Sequence, residues 1–258
     1  MTTHLYCILP DETAGALQPN LSGLDGARVR ALPVERMVAW VSDVEREGPV
    51  SFEGVRAEEA FASVRAHDAV VEAALDTGST PIPARFGQRF ASDDACRAAL
   101  MKQGMLLESL VSTVQGMVEM TLILTPSTRR MLRDLEPVLP DLIESETTGM
   151  GKAYLNALRA REAATGAVRR AMDGLARKLL EATKALVRDT KVHDQATRLP
   201  LRTLSQLIAR GRVDEYQRTV NAVESGREFR FLVIGPRAPY SFCSLGGGGG
   251  MHGMKLAD

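Results

Sequence analysis

Few residues in this sequence have the type and spacing to do chemistry. His67 and Asp68 are adjacent, a pairing that suits a general base oriented by a carboxylate. Neighbouring positions on a helix project about 100° apart, so the two side chains do not face each other. The spacing therefore predicts a packed histidine bonded to a nearby strand. Cys243 offers a thiol, but no cation flanks it closely enough to lower its pKa, and a structural role is expected. His4, His67, His193 and His252 lack metal-ligand spacing, and Cys7, Cys96 and Cys243 form neither a zinc pattern nor a disulfide framework. No phosphate-cradling loop, nucleophile elbow or HExxH pair is present. The glycine run 246–250 lacks the lysine and helix that an anion site needs. The pairs Arg129–Arg130 and Arg169–Arg170 have acids nearby and read as solvated helix faces. With 1 Trp, 4 Tyr and 7 Phe, no aromatic ladder supports base stacking. The expectation is a protein without catalytic residues, cofactor or metal, and without a nucleic-acid partner.

The bulk properties agree. Lys plus Arg and Asp plus Glu are 32 each, so net charge draws the chain to no polyanion and does not repel a second copy of it. Apolar residues are 45% and charged residues 25% of the 258, ordinary globular usage. Three dispersed cysteines fit a reducing compartment. The start MTTHLYCILP has no signal-peptide pattern, and the longest apolar run, 117–124, is too short to span a bilayer. A cytoplasmic protein that is neither secreted nor membrane-bound is expected.

The elements that would position these residues alternate between strand and helix. Strands are predicted over 5–9, 29–34 and 38–44, and a helix over 58–75 with Phe61, Val64, Val71 and Leu75 on its apolar face. Residues 81–90 read as a short strand and turn. Ser92 caps a single helix with the stripe Cys96, Leu100, Gln103, Leu107, Leu110 and Val114, closed by Gly116. Residues 117–124 read as a covered central strand, and 127–135 as a short helix. A long helix follows over 151–190, with Gly166 and Gly174 as weak points. Its apolar seam, which includes Leu158, Met172, Leu179 and Leu186, is a candidate face for a partner. Strands over 197–201, 203–209 and 228–234 enclose a helix over 213–223, and a mobile glycine-rich tail is expected at 243–258. The fold class expected is α+β in two domains: an N-terminal α/β domain, 1–116, and a C-terminal domain, 117–242, with the βαββαβ order of ferredoxin-like folds. Ferredoxin-like sheets often serve as sensors, so a small-molecule-binding regulatory protein is the alternative function.

Seven segments go beyond generic folding signals. They are Leu5-Tyr-Cys-Ile-Leu-Pro10, Val41-Ser-Asp-Val44, His67-Asp-Ala-Val-Val71, Arg85-Phe-Gly87, Gly116-Met-Val-Glu119, Gly151-Lys-Ala-Tyr-Leu155 and Pro239-Tyr-Ser-Phe242. In this order they resemble the gas vesicle GvpF/GvpL family, whose members end in a GPxxPYSF pattern; here it is Gly235-Pro-Arg-Ala-Pro-Tyr-Ser-Phe242. One departure is Arg237-Ala238, where a bulky aromatic and a proline would be expected. The resemblance implies a non-enzymatic accessory protein, located in the cytoplasm and on the gas vesicle. The vesicle is a buoyancy organelle walled by the very hydrophobic shell subunit GvpA. It implies partners in GvpA and other gas vesicle accessory proteins. It marks His67, Arg85, Phe86, Gly87, Tyr154, Gly235, Pro236, Pro239, Tyr240 and Phe242 as motif residues. Two readings follow for these. Phe86 plugs an interdomain core at a turn, and 239–242 form an extended strap anchored by aromatics.

Overall fold

A computed structural model describes residues 1–10, 17–45, 57–127, 150–194, 201–223 and 229–243. The chain forms two compact units, Met1–Glu119 with the segment from Pro236 on, and Met120–Gly235. The fold is mixed helix and sheet, with one sheet in each unit.

The first unit is built on β1 (Thr2–Pro10), nearly all of which is buried. It pairs antiparallel with β3 (Met37–Val44), which in turn pairs with β2 (Arg30–Val34). Glu35, with φ 52, takes the left-handed conformation that a tight hairpin turn requires. On its other side β1 pairs with the short strands β4 (Ile82–Pro83) and β5 (Arg89–Phe90). Helix α1 (Ala57–Asp76) covers this sheet with Ala60, His67, Val70, Val71, Ala74 and Leu75. The buried stripe is rotated from the one expected: Phe61 and Val64 are 50% and 36% exposed. The rotation brings His67 to the sheet, where its ring bonds the Ala84 carbonyl and His4, and leaves Phe61 outside.

The stripe from Cys96 to Val114 is carried by two helices instead of one, α2 (Asp93–Met101) and α3 (Gly104–Val114). The chain breaks beside Gly104, a poor helix former. Ser92 caps α2 by accepting from Ala95 N–H at 3.2 Å, as its sequence position predicts. Asp93 in the first turn receives Arg30 at 2.7 Å and Thr3 Oγ1 at 2.8 Å, tying α2 to β2 and β1.

The second unit runs β6 (Met117–Pro126), α4 (Met150–Thr183), β7 (Val187–Asp194), β8 (Arg202–Ala209), α5 (Val213–Asn221) and β9 (Phe229–Arg237), with strand order β7-β8-β6-β9. From Met120 on, β6 alternates buried and half-buried residues, the pattern of a strand covered on one face. Helix α4 passes unbroken through Gly166 and Gly174, and its 34 residues span about 51 Å at 1.5 Å each. It ends at Thr183 rather than near residue 190. Leu186 N–H bonds back to Thr183 C=O at 2.8 Å, a tight turn, and the β-branched Val187, Thr190 and Val192 then suit a strand. Beneath α4 a buried polar chain runs from Tyr216 Oη to Gln206 Oε1 (2.6 Å) and from Gln206 Nε2 to Thr183 Oγ1 (3.0 Å). The short helix expected at 127–135, the strand at 197–201 and the tail lie mostly or wholly outside the described residues.

One close approach fixes the entry loop of the first unit. Tyr6 Oη accepts from Leu24 N–H at 2.8 Å and bonds Ser42 Oγ at 2.7 Å. A Cβ at Gly23 would lie 2.0 Å from that hydroxyl. Gly23→Ala is expected to displace the loop and to lower unfolding free energy by about 1–3 kcal/mol. Urea titration of the variant checks this, and an unchanged midpoint would contradict the packing described.

Candidate functional site

His67, Arg85, Phe86, Gly87, Pro239, Tyr240 and Phe242 fall in the first unit, where β1, α1, the turn after β4 and the returning C-terminal segment meet, while Tyr154 and Gly235 belong to the second. His4 and His67 are 0% and 2% exposed. The hydrogen bonds assign their tautomers. His67 Nε2 faces the Ala84 carbonyl at 3.2 Å and must donate, so its Nδ1 accepts from His4 Nε2 at 3.0 Å. This leaves His4 Nδ1 as a buried acceptor without a hydrogen-bond partner among the described residues. Burial pulls His67 down to about 4, against the opposing pull of the Ala84 bond and Asp68. Burial, then the neighbouring His67 and Arg89, pull His4 down to about 3. Both rings are therefore neutral near pH 7.

The turn at 84–88 completes this cluster. Phe86 stands edge-on to His67 at 5.6 Å and to His4 at 6.2 Å, and Tyr6 lies edge-on to His4 at 4.7 Å. Gly87 takes φ 84, which lets the turn come back to β1. There Ala84 N–H donates to Tyr6 C=O at 2.8 Å and Leu5 N–H to Gln88 C=O at 3.0 Å. Phe86 packs with the core of the first unit itself, while Arg85 is exposed.

Asp68 does not orient His67. Its carboxylate holds the Arg237 guanidinium, whose Nε lies 3.6 Å from Glu72. The departure from the family pattern thus has a local explanation: Arg237 clamps onto α1, and Ala238, 2% exposed, enters the core beside it. Gly235 has φ 130, a conformation that favours glycine just before the clamp. Residues 239–243 form a turn instead of an extended strap, with Cys243 N–H bonded to Pro239 C=O at 3.0 Å. Glu119, 6% exposed, accepts from Ser241 N–H at 2.8 Å and Ser241 Oγ at 2.7 Å. Tyr240 packs on the same core, and burial with the nearby Asp68 carboxylate pushes its phenol above the ordinary range. The segment from Pro236 on, expected to belong to the C-terminal domain, is therefore part of the first unit.

His67 has both ring nitrogens engaged in the interior, Asp68 is ion-paired and Cys243 is 6% exposed. His67 and Cys243 are thus buried, Asp68 is committed to Arg237, and burial raises Cys96 to about 11 and Cys7 further, away from thiolate chemistry. Among the described residues no group of three or more His, Cys, Asp and Glu is placed to hold a metal, and no helix is long and apolar enough to cross a membrane.

The expected partner face on α4 is occupied from within. Met172 and Leu179 are 2% and 0% exposed, because the apolar seam of the helix is its core-facing side, and Leu186, 8% exposed, lies in the turn beyond its end. The side chains of Tyr154 and Leu158 lie outside those described. Sequence reasoning missed His4, Glu119 and Ser241. Of these Glu119 and Ser241 had a signal, since they lie in the Gly116-Met-Val-Glu119 and Pro239-Tyr-Ser-Phe242 motifs.

The buried pair predicts a pH dependence. Both folded-state pKa values lie below the unfolded 6.5, so the unfolded chain binds protons first as pH falls. The stability contribution is complete above pH 6.5 and is lost toward pH 4, at up to about 1.4 kcal/mol per pH unit for each histidine. Urea unfolding between pH 7 and 5 should show this slope, and His4→Gln with His67→Gln should flatten it. An equal slope in the double variant would contradict the buried neutral pair.

Comparison with known proteins places these features in one family. The family profile described as gas vesicle synthesis protein GvpL/GvpF matches residues 2–244. The crystal structure of gas vesicle protein GvpF from Microcystis aeruginosa superposes with a TM-score of 0.69 at 18% identity, covering 95% of this chain and 99% of that one. GvpF from Anabaena sp. PCC7120 does so with a TM-score of 0.72 at 16% identity, again covering 95% and 99%. No curated protein sequence matches the chain significantly.

Proposed function

This chain belongs to the gas vesicle GvpL/GvpF family, and from that premise we propose that it acts in vesicle assembly by covering the hydrophobic shell subunit GvpA, alone or with other gas vesicle accessory proteins, in the cytoplasm and at the growing vesicle. The family is one of structural and assembly proteins and is not known for catalysis. The observation that carries the reading is the family match across residues 2–244. The interior placement of the histidines supports a scaffold role for them.

An apolar partner needs an apolar surface. The junction of α2 and α3 presents Met101, Met105 and Leu106 at 51%, 88% and 45% exposure. Methionines adapt to irregular apolar surfaces, and exposed apolar residues this close in sequence suit contact with a subunit that would otherwise aggregate. This junction replaces the buried seam of α4 as the proposed contact. We also read the second unit as ferredoxin-like. Its β-α-β-β-α-β chain order and the strand order β7-β8-β6-β9 support that reading.

The test is co-purification from vesicle-forming cells. Tagged protein should recover GvpA or other vesicle accessory proteins. Met101→Lys, Met105→Lys and Leu106→Lys together should cut recovery at least about tenfold if the contact contributes more than about 1.4 kcal/mol. Recovery of no vesicle protein, with normal vesicles in cells lacking this gene, would remove the proposal. Undiminished recovery by the triple variant would move the contact elsewhere.

A further inference from the structure

The zero net charge conceals two opposite halves. Residues 120–235 carry 20 Lys and Arg against 14 Asp and Glu, net +6, while the remainder carries 12 against 18, net −6. Each excess reaches an exposed helix ridge. On α1 the exposed Glu58, Arg65, Glu72 and Asp76 recur at steps of 7, 7 and 4 residues, so they share one outward line with the half-exposed Phe61. On α4 the exposed Arg159, Arg170, Arg177, Glu181 and Lys184 form the corresponding line, opposite the buried seam. Small residues, Ala163, Gly166 and Gly174, lie along this line and would let another helix approach closely.

We propose that the α1 ridge of one copy docks antiparallel on the α4 ridge of a second copy of this chain. One register brings opposite charges together along the shared length of the two helices, with Glu58 and Arg159 beyond its ends. With Arg65 opposite Glu181, Asp76 falls opposite Arg170, and Glu72 falls opposite Gly174 between Arg170 and Arg177. Phe61 then lies one residue from Lys184, within reach of a cation–π contact. The single acid of the α4 line thus meets the single base of the α1 line, a match that net charge alone would not produce. In the isolated chain Glu181 is 3.9 Å from Lys184 and Glu72 3.6 Å from Arg237, both long and exposed pairs that leave capacity for a second partner. The two ridges are different surfaces. Each copy therefore offers both halves of the contact to other copies. This inference rests on the charge pattern and not on the gas vesicle reading.

The experiment is sedimentation velocity of the full chain over a range of concentrations at about 20 mM and about 300 mM salt, because exposed charge pairs weaken as the screening length shortens. The mass should rise with concentration at low salt and fall back to monomer at high salt. Glu72→Lys with Asp76→Lys, and separately Arg170→Glu with Arg177→Glu, should each weaken association at least about tenfold, since each reverses two charges of the ridge. Mixing the two variants should restore association, because each now offers the ridge the other lacks. Arg65→Glu with Glu181→Arg exchanges the charges within one register pair and should retain association when combined, and lose it singly. Circular dichroism and a thermal melt confirm that each variant is folded. A monomer at every concentration at low salt would overturn the proposal. So would association that survives both ridge reversals, or variants that fail to rescue each other.

Discussion

The closing of residues 236–243 onto the first unit is the constraint on which most of the architecture depends. Ala238 and Tyr240 pack on the core made by β1, β3 and α1. Arg237 pairs with Asp68, and Glu119 receives two hydrogen bonds from Ser241. A carboxylate as buried as Glu119 is costly without partners, and charge-assisted bonds of this kind contribute about 1.5–3 kcal/mol each. The chain leaves the first unit along β6 and comes back at the end of β9. The second unit is therefore an insertion between two parts of one core, and the first unit cannot be complete until the last part of the chain exists.

The same constraint explains why residues that look reactive are quiet. Asp68 is one residue from His67 but belongs to the clamp on Arg237. His67 belongs to the interior and is fixed by the Ala84 carbonyl and His4. Phe86 packs edge-on against both rings, and Gly87 supplies the positive φ that brings it there. A histidine, an acid and a thiol gathered in one unit thus serve packing and register. Placing two imidazoles in contact makes the core sensitive to protons, which an apolar pair would not be.

Much of the fold was legible in the sequence because local signals and tertiary structure agree there. The alternation of Val38 to Val44, the Ser92 cap and the Gly116 stop each express a backbone rule that burial reinforces. Legibility failed where two rules competed. Periodicity counted Phe61 and Val64 as core, but the hydrogen-bonded His67 and Ala60 face the sheet instead. It extended α4 to residue 190, into the strand Val187–Asp194, where β-branched residues at short spacing fit either reading. It offered Met172, Leu179 and Leu186 to a partner, because an apolar stripe is the same pattern whether its neighbour is this chain or another. Long-range pairings such as Arg237 with Asp68 and Ser241 with Glu119 leave no trace in spacing. Only the family resemblance pointed to the C-terminal residues, and it did not say what they touch.

The account turns on whether the C-terminal segment is part of the first core. Native-state hydrogen exchange measures this directly, amide by amide. The N–H groups of Phe242 and Cys243, both bonded to Pro239 C=O, should open with the same free energy as those of Leu5 and Ala84. Exchange of Phe242 and Cys243 at rates near those of an unstructured chain, with Leu5 and Ala84 still protected, would contradict it.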